Sequence, residues 1–311
     1  MQSKGRLAKM NGDRSSGILF YSHNQEKYVK SGLDSILSQK FDGPAHLIII
    51  DDGSPDNTVN VIETWIEMNR AFISERFESI NFTFRQDGKA RGQTATLLEG
   101  LGRLETDYLF ILEGDDEWIL DSHISEMRSK LDEFPWLSAC GSSWISLSDS
   151  NQICGAFEKP ANLSFINSLW DFRRLLSSNF QTLSAMGYRG EVVRKFLPKL
   201  ILCKEVADLG LNIFVSQEGP IYWCDQVSLK WRFIPTSAWR KIPLKEQIFR
   251  SISMLKEYSL HLNPDVAPFL LIEIESREHA FSIRSKMQFA ISHPLKSFRI
   301  IMRKFVANKS K

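Results

Sequence analysis

Two short runs constrain the architecture more than any other part of the chain. Leu47-Ile48-Ile49-Ile50 and Tyr108-Leu109-Phe110-Ile111-Leu112 are apolar at every position. Each stops abruptly at acids, Asp51-Asp52-Gly53-Ser54 in one case and Glu113-Gly114-Asp115-Asp116-Glu117 in the other. An uninterrupted apolar run suits a strand covered on both faces, as in a parallel sheet with helices above and below. The intervening sequence fits that arrangement. Gly17–Tyr21 and Ile80–Phe84 read as further strands. Apolar residues at Val29, Leu33, Ile36 and Leu37, and helical stretches near Thr58–Met68 and Thr94–Leu104, supply amphipathic helices between them. The order β-α-β-α-β-α-β predicts an α/β fold with a mostly parallel central sheet and helices on both faces. Ligands of such sheets bind beyond the carboxyl ends of the strands. Both acidic clusters are therefore expected at one crevice. Four carboxylates in the five residues 113–117 repel one another. Either water or a bound cation must offset that repulsion.

The rest of the chain adds boundaries. A length of 311 residues suits one large domain with an extension. The predicted division is a loose basic tail at 1–16, a main domain at 17–240 and a helical, basic C-terminal extension at 241–311. The main domain divides into two halves, 17–120 and 121–240. A net charge of +2 gives no reason to expect a nucleic-acid partner. Positive charge is concentrated instead between Phe281 and Lys311, where no Asp or Glu occurs. There Leu295, Phe298, Ile301, Met302 and Phe305 share one helical face, flanked by Lys296, Arg299 and Arg303. Such a helix can lie on an anionic membrane surface, or pack its apolar side on the domain. Cys140, Cys154, Cys203 and Cys224 form no CxxC pair and no zinc spacing, which suits a reducing, cytoplasmic setting. The first residues contain no apolar signal segment, and no run of about 18 apolar residues is present, so any membrane contact is expected to be peripheral.

Two common nucleotide motifs are missing. "GKARGQT" at 88–94 lacks the Lys-Ser/Thr of a P-loop, and "GLGRLE" at 100–105 lacks the third glycine of a dinucleotide fingerprint.

The combination "IIIDDGSPDNT" (48–58), "FILEGDDEW" (110–118) and "SHNQEKYVKSGLDSILSQ" (22–39) resembles the family 2 glycosyltransferases, and its "LEGDD-x-W" form resembles those that build bacterial surface polysaccharides. The resemblance implies the GT-A fold, with 17–120 as its nucleotide-binding half and 121–240 as its acceptor half. It also implies inverting transfer of a sugar from a nucleoside diphosphate donor, with UDP expected, to a hydroxyl of a saccharide or lipid-linked saccharide. "EGDD" then stands as the DxD-type site, with Glu113, Asp115 and Asp116 as candidate ligands of Mn2+ or Mg2+. Such hard cations bind through one or two carboxylates plus substrate phosphates. Asp52 matches the residue that accepts from the nucleobase, with Asp51 as its rival. Tyr21 and Ser22 would line the same pocket, and Arg91 could approach the base or a phosphate.

In the second half, "KEVADLGLNIFVSQEGPIYWCDQVSLKWR" (204–232) places Asp208 at the family's general-base position, with Glu205 as a rival because Val206 interrupts the usual Glu-Asp pair. In "WRFIPTSAW" (231–239), Arg232 could pair with the diphosphate and Trp239 could stack on an acceptor sugar, while Ile234 stands where a metal-binding His often sits. Two other readings remain open at this level: a sugar-nucleotide pyrophosphorylase, and a non-catalytic nucleotide-binding or scaffold protein of the same fold.

Overall fold

A computed structural model describes residues 14–85, 88–159, 164–177, 182–234, 237 and 239–292. The first half alternates as its apolar periodicity requires. It comprises β1 (Ser16–Ser22), α1 (Val29–Leu37), β2 (Ala45–Asp51), α2 (Thr58–Arg76), β3 (Ser79–Phe84), α3 (Gln93–Arg103) and β4 (Tyr108–Glu113). The second half is more irregular: β5 (Glu117–Trp118), α4 (His123–Glu133), β6 (Ala139–Leu147), β7 (Ile153–Phe157), β8 (Leu169–Trp170), α5 (Phe172–Ser177), β9 (Met186–Arg189), α6 (Gly190–Leu200), α7 (Asp208–Val215) and β10 (Ile221–Arg232).

All ten strands join one sheet, in the order β3-β2-β1-β4-β9-β6-β10-β5, with β7 on β6 and β8 on β10. The first four strands are parallel to one another. Beyond β4 the sheet is mixed, because β9 runs antiparallel to both β4 and β6. Side chains alternate across the sheet. Ile18, Phe20, Leu47, Ile49, Phe110 and Leu112 pack with Leu33 and Ile36 of α1, Ile62 and Trp65 of α2, and Ile124 and Leu131 of α4. Leu19 lies on the opposite face by its period-two position. There Gly100 admits α3 so closely that a Cβ would sit 2.3 Å from Leu19 Cδ1. Helix α6 packs on α3 and α7.

Helix α2 departs from the sequence expectation, and two later elements have features that local pattern does not show. Helix α2 continues to Arg76, past Met68, because Ile73 anchors its last turns while Met68 and Phe72 stay exposed. Strand β10 runs from Ile221 to Arg232. Its register shifts between Trp223 and Val227 and again before Leu229, which breaks the apolar alternation that would have revealed it. Helix α6 carries Pro198 near its end, a residue that reads as a helix breaker in sequence.

His123, at the start of α4, is buried. Its Nδ1 lies 2.6 Å from Ser228 Oγ, and its ring stacks on Trp118 at 4.7 Å between centroids. Burial lowers its pKa to about 3. The unfolded chain protonates this group near an ordinary histidine value of about 6.5, so its contribution to stability is complete above that pH and is lost as pH falls toward 3. Between pH 7 and pH 5 the wild type is expected to lose about 2 kcal/mol more stability than His123→Gln. Urea denaturation of both proteins at the two pH values checks this.

From Ile242 on, the described residues form a second compact unit, within which α8 (Leu244–Ser259) and α9 (Ala267–Ser292) pack against each other. The basic amphipathic stretch at 295–305 lies outside the described residues. Among the described residues no helix is long and apolar enough to cross a membrane.

Candidate active site

Strand order brings the acidic clusters together. β1 lies between β2 and β4, with Ser22 opposite Asp51 and Tyr21 opposite Glu113. The two acid-bearing strand ends therefore flank the tip of β1. The chain order reverses direction there, which is where open α/β sheets form their ligand crevice.

On the β2 side, Asp51 is fully buried and spends its carboxylate on the turn. It accepts hydrogen bonds from Ser22 Oγ at 2.9 Å, Ser54 N–H at 2.7 Å and Ser54 Oγ at 2.6 Å. Asn24 N–H donates to Ser54 Oγ at 2.7 Å and ties the loop after β1 to the loop after β2. Asp52 holds the segment before α3: Arg91 N–H donates to Oδ1 at 2.9 Å and Gly92 N–H to Oδ2 at 2.7 Å. Gly88 (φ +63°) and Gly92 (φ +90°) supply the left-handed backbone that this turn needs. The Arg91 side chain is exposed. His23 sits beside this loop pair, its Nδ1 3.2 Å from the Asp52 carbonyl oxygen.

Arg85 was not anticipated from sequence. It follows β3 directly and pairs with Asp52 and Glu99, while donating to Thr96 Oγ1 at 2.9 Å. The available signal was positional: Phe84 is the register partner of Asp51, so the next residue reaches the same tip. The Arg85 and Asp52 side chains are each 5% exposed. Removing one partner of a buried pair leaves an uncompensated charge, so Arg85→Met is expected to cost about 3–5 kcal/mol of stability. Chemical denaturation at pH 7 measures it.

On the β4 side, Gly114 lets the acidic turn cross the end of β1. Its N–H donates to the Tyr21 carbonyl at 2.8 Å, and a Cβ there would lie 2.5 Å from Gln25 Oε1 and 2.8 Å from Ser22 Cβ. Glu113 Oε1 accepts from Tyr21 Oη and from Gln93 Nε2, both at 2.8 Å. Burial, and then the charge of Asp115, push the Glu113 pKa up to about 8. Burial raises Asp115 to about 6, against the opposing pull of its own backbone N–H, Arg232 and Gln25. Asp116 is raised well above the usual carboxylate range by burial and then by the charges of Asp115 and Glu113. Its Oδ1 accepts from Arg232 N–H at 2.9 Å, whereas the buried Oδ2 has no hydrogen bond, the Ser184 hydroxyl being a favourable neighbour.

The carboxylates thus crowd together in a site that favours their neutral forms, and a cation would reverse that preference. Among the described residues, Glu113, Asp115 and Asp116 do not close into a three-ligand cage. Asp116 is turned toward Arg232, and one oxygen of Glu113 is taken by Tyr21 and Gln93. What remains is Asp115 with the second oxygen of Glu113. That donor set fits Mg2+ or Mn2+, which keep most of their coordination for water and phosphate.

Arg232 serves this cluster from within the protein. Its Nε donates to the Asp115 carbonyl at 3.1 Å, one terminal nitrogen donates to Asn151 Oδ1 at 2.7 Å, and the guanidinium lies 4.3 Å from the Tyr28 ring centroid. Asp208 opens α7, and its Oδ1 accepts from Leu209 N–H at 2.7 Å. The charges that raise Glu113 are those of Asp115 and Asp208, so Asp208 belongs to the same electrostatic neighbourhood. Glu205 lies half-buried in the loop before α7. That loop is tied to the start of α3 by Val206 N–H donating to Thr94 Oγ1 at 2.9 Å. Trp239 is 42% exposed, in a turn beyond β10. Ile234 is half-buried.

A parallel-rich first half, a crevice at the tip of β1 and carboxylates on both sides of it make an open α/β architecture with an acidic ligand crevice. The sequence profile of glycosyl transferase family 2 matches residues 18–196, more than half of the chain. The chain belongs to this family of glycosyltransferases.

Its fold is shared with solved GT-A enzymes. Residues 1–349 of Staphylococcus aureus TarS, solved in complex with UDP-GlcNAc, align with a TM-score of 0.63 at 13% identity, over 91% of this chain and 77% of that one. The mannosyltransferase PcManGT of Pyrobaculum calidifontis, solved with GDP-Man and Mn2+, aligns with a TM-score of 0.57 at 12% identity, over 95% and 80%. Among sequences, an uncharacterised protein of Mycobacterium tuberculosis is 28% identical over 123 residues, 40% of this chain and 33% of that protein. Glycosyltransferase GlyA of Streptococcus pneumoniae is 23% identical over 210 residues, 64% of this chain and 28% of that protein. The match thus spans about a third or less of these relatives' own length.

Proposed function

We propose that the protein is an inverting, metal-assisted glycosyltransferase that uses a UDP-linked sugar. The acceptor is a hydroxyl of a saccharide or lipid-linked saccharide in bacterial surface-polysaccharide synthesis, reached at the cytoplasmic face of a membrane. One observation carries the reading: Asp51 and Asp52 on one side of β1, and Glu113, Asp115 and Asp116 on the other, meet at a single strand tip with Asp208 in electrostatic range. The neighbours solved with UDP-GlcNAc and GDP-Man support a nucleotide-sugar donor.

In this reading Asp115 and the open oxygen of Glu113 hold Mn2+ or Mg2+. When bound, the cation supplies Lewis-acid stabilisation of the departing diphosphate. The remaining work falls to the chain. Asp52 keeps the loop from Gly88 to Gly92 folded against the nucleotide side and offers its carboxylate edge to a base N–H. Arg91 projects from that loop toward base or phosphate. Arg232 orients Asp115 through its carbonyl and brings positive charge to the diphosphate side. Asp208 takes the proton from the acceptor hydroxyl as that oxygen attacks the anomeric carbon. One base and one in-line displacement invert the anomeric centre.

A thermal-shift screen of UDP-, GDP- and TDP-sugars with Mn2+ or Mg2+ tests the reading. Stabilisation by one donor only when the cation is present, followed by slow UDP release on incubation, is the expected result. Nucleotide binding with no turnover under any acceptor would instead mark a scaffold that kept the fold.

A further inference from the structure

One buried donor on the helix that Asp208 opens has no partner in the fold as it stands. Asn212 lies in α7, wholly buried, one helical turn after Asp208. Its Oδ1 accepts a hydrogen bond from the Tyr188 hydroxyl at 2.9 Å, which fixes the orientation of the amide. Its Nδ2 carries two N–H donors and has no hydrogen-bond partner. Buried amide donors are nearly always satisfied, so an open one beside a reactive group marks a contact made in another state of the site.

The geometry limits what that contact can be. Residues four apart on a helix are neighbours on one face, and helical side chains lean toward the N-terminus, so the Asn212 amide leans toward Asp208. Tyr188, on β9, is also wholly buried, and the charges of Asp208 and Glu113 both act on its hydroxyl. The amide is thus hydrogen-bonded to a tyrosine whose hydroxyl lies within reach of the Asp208 charge. In the present structure Asp208 folds its Oδ1 back onto Leu209 N–H. To meet an acceptor hydroxyl it must leave that local bond, and a donor on the same helix face would keep it ionised and aimed.

We infer that Asn212, oriented by Tyr188, is a positioning residue that receives the Asp208 carboxylate through its free Nδ2–H when Asp208 turns to the acceptor. The inference rests on Asp208 being the base. The proton balance is simple. Asp208 accepts the acceptor's proton as the new glycosidic bond forms, UDP leaves with the bonding pair, and Asn212 and Tyr188 keep their protons throughout.

The test uses the full chain, Mn2+ and the UDP-sugar found in the thermal screen, and reads UDP release. Asn212→Leu and Tyr188→Phe are each expected to lower kcat about 10- to 100-fold while leaving the donor KM within about twofold. In an Asp208→Asn background neither substitution should lower kcat further, because residues that act as a unit are not additive. A purely structural role would move the melting temperature and not this pattern. Near-wild-type kcat in both variants overturns the inference, as does a loss that multiplies with that of Asp208→Asn. If Asn212→Leu does not fold, Tyr188→Phe carries the same comparison. Failure of the base assignment is seen separately, as full turnover by Asp208→Asn alone, and removes the inference with it.

Discussion

Asp115→Asn is expected to lower sugar transfer by about 10³-fold and to abolish the cation-dependent part of UDP binding. The size follows from the donor set. Asp115 is the carboxylate of "EGDD" that is least committed to holding the protein together, since its fixed partners act on its backbone or come from Gln25 and Arg232. The substitution keeps side-chain shape and removes the charge. Asp116→Asn is a different experiment, because Asp116 accepts the Arg232 N–H that joins the acidic turn to β10. That variant should lose stability along with activity. Isothermal titration with UDP, with and without Mn2+, separates the effects. Asp115→Asn should bind UDP equally in both conditions, whereas the wild type should bind more tightly with Mn2+. Unchanged cation dependence in Asp115→Asn would remove Asp115 from the metal site.

The second large effect is expected at Asp208. Asp208→Asn should reduce transfer by about 10²–10⁴-fold, the range for loss of a general base, with UDP and Mn2+ binding left intact. Asp208 is the candidate base whose charge reaches Glu113, and it begins a helix whose packing on α6 and α5 holds its position. Glu205→Gln, in the loop before α7, should stay within the same order of magnitude as the wild type. Steady-state kinetics of UDP release on the two variants decides between them. Equal losses in both would mean that the loop from Glu205 to Asp208 acts through its fold and not through one carboxylate.

The contrast between the halves of the chain explains what was readable. In the first half, the wholly apolar β2 and β4 and the helical spacing of α1 and α3 each report their own environment, and local pattern is enough to recover them. The expectation that "DDGS" and "EGDD" share a crevice also needed only a topological rule, because parallel strands end on the same side of a sheet. β9, β10 and α6 resisted because their signals are not local. β9 is only four residues long and is held by pairing with β4 and β6. β10 carries Asp225, Gln226, Ser228 and Lys230 and changes register midway. Arg85 carries no local signal of its role; β3 delivers it, buried, to Asp52. Arg232 looked like a free cation for phosphate, and its place against Asp115, Asn151 and Tyr28 emerged only from three separate loops meeting.

By itself, then, the amino-acid sequence determined the kind of fold, the identity of the acids and the strand ends that carry them, since hydrophobic periodicity and residue chemistry are properties of short segments. Only the tertiary structure decided how each acid is used. Asp51 is consumed by its turn, one oxygen of Glu113 is occupied, Asp116 is tied to β10, and Asp115 is left available. Hydrogen-bond partners and burial come from residues as far as a hundred positions away, and no local pattern encodes which of several like carboxylates will meet them.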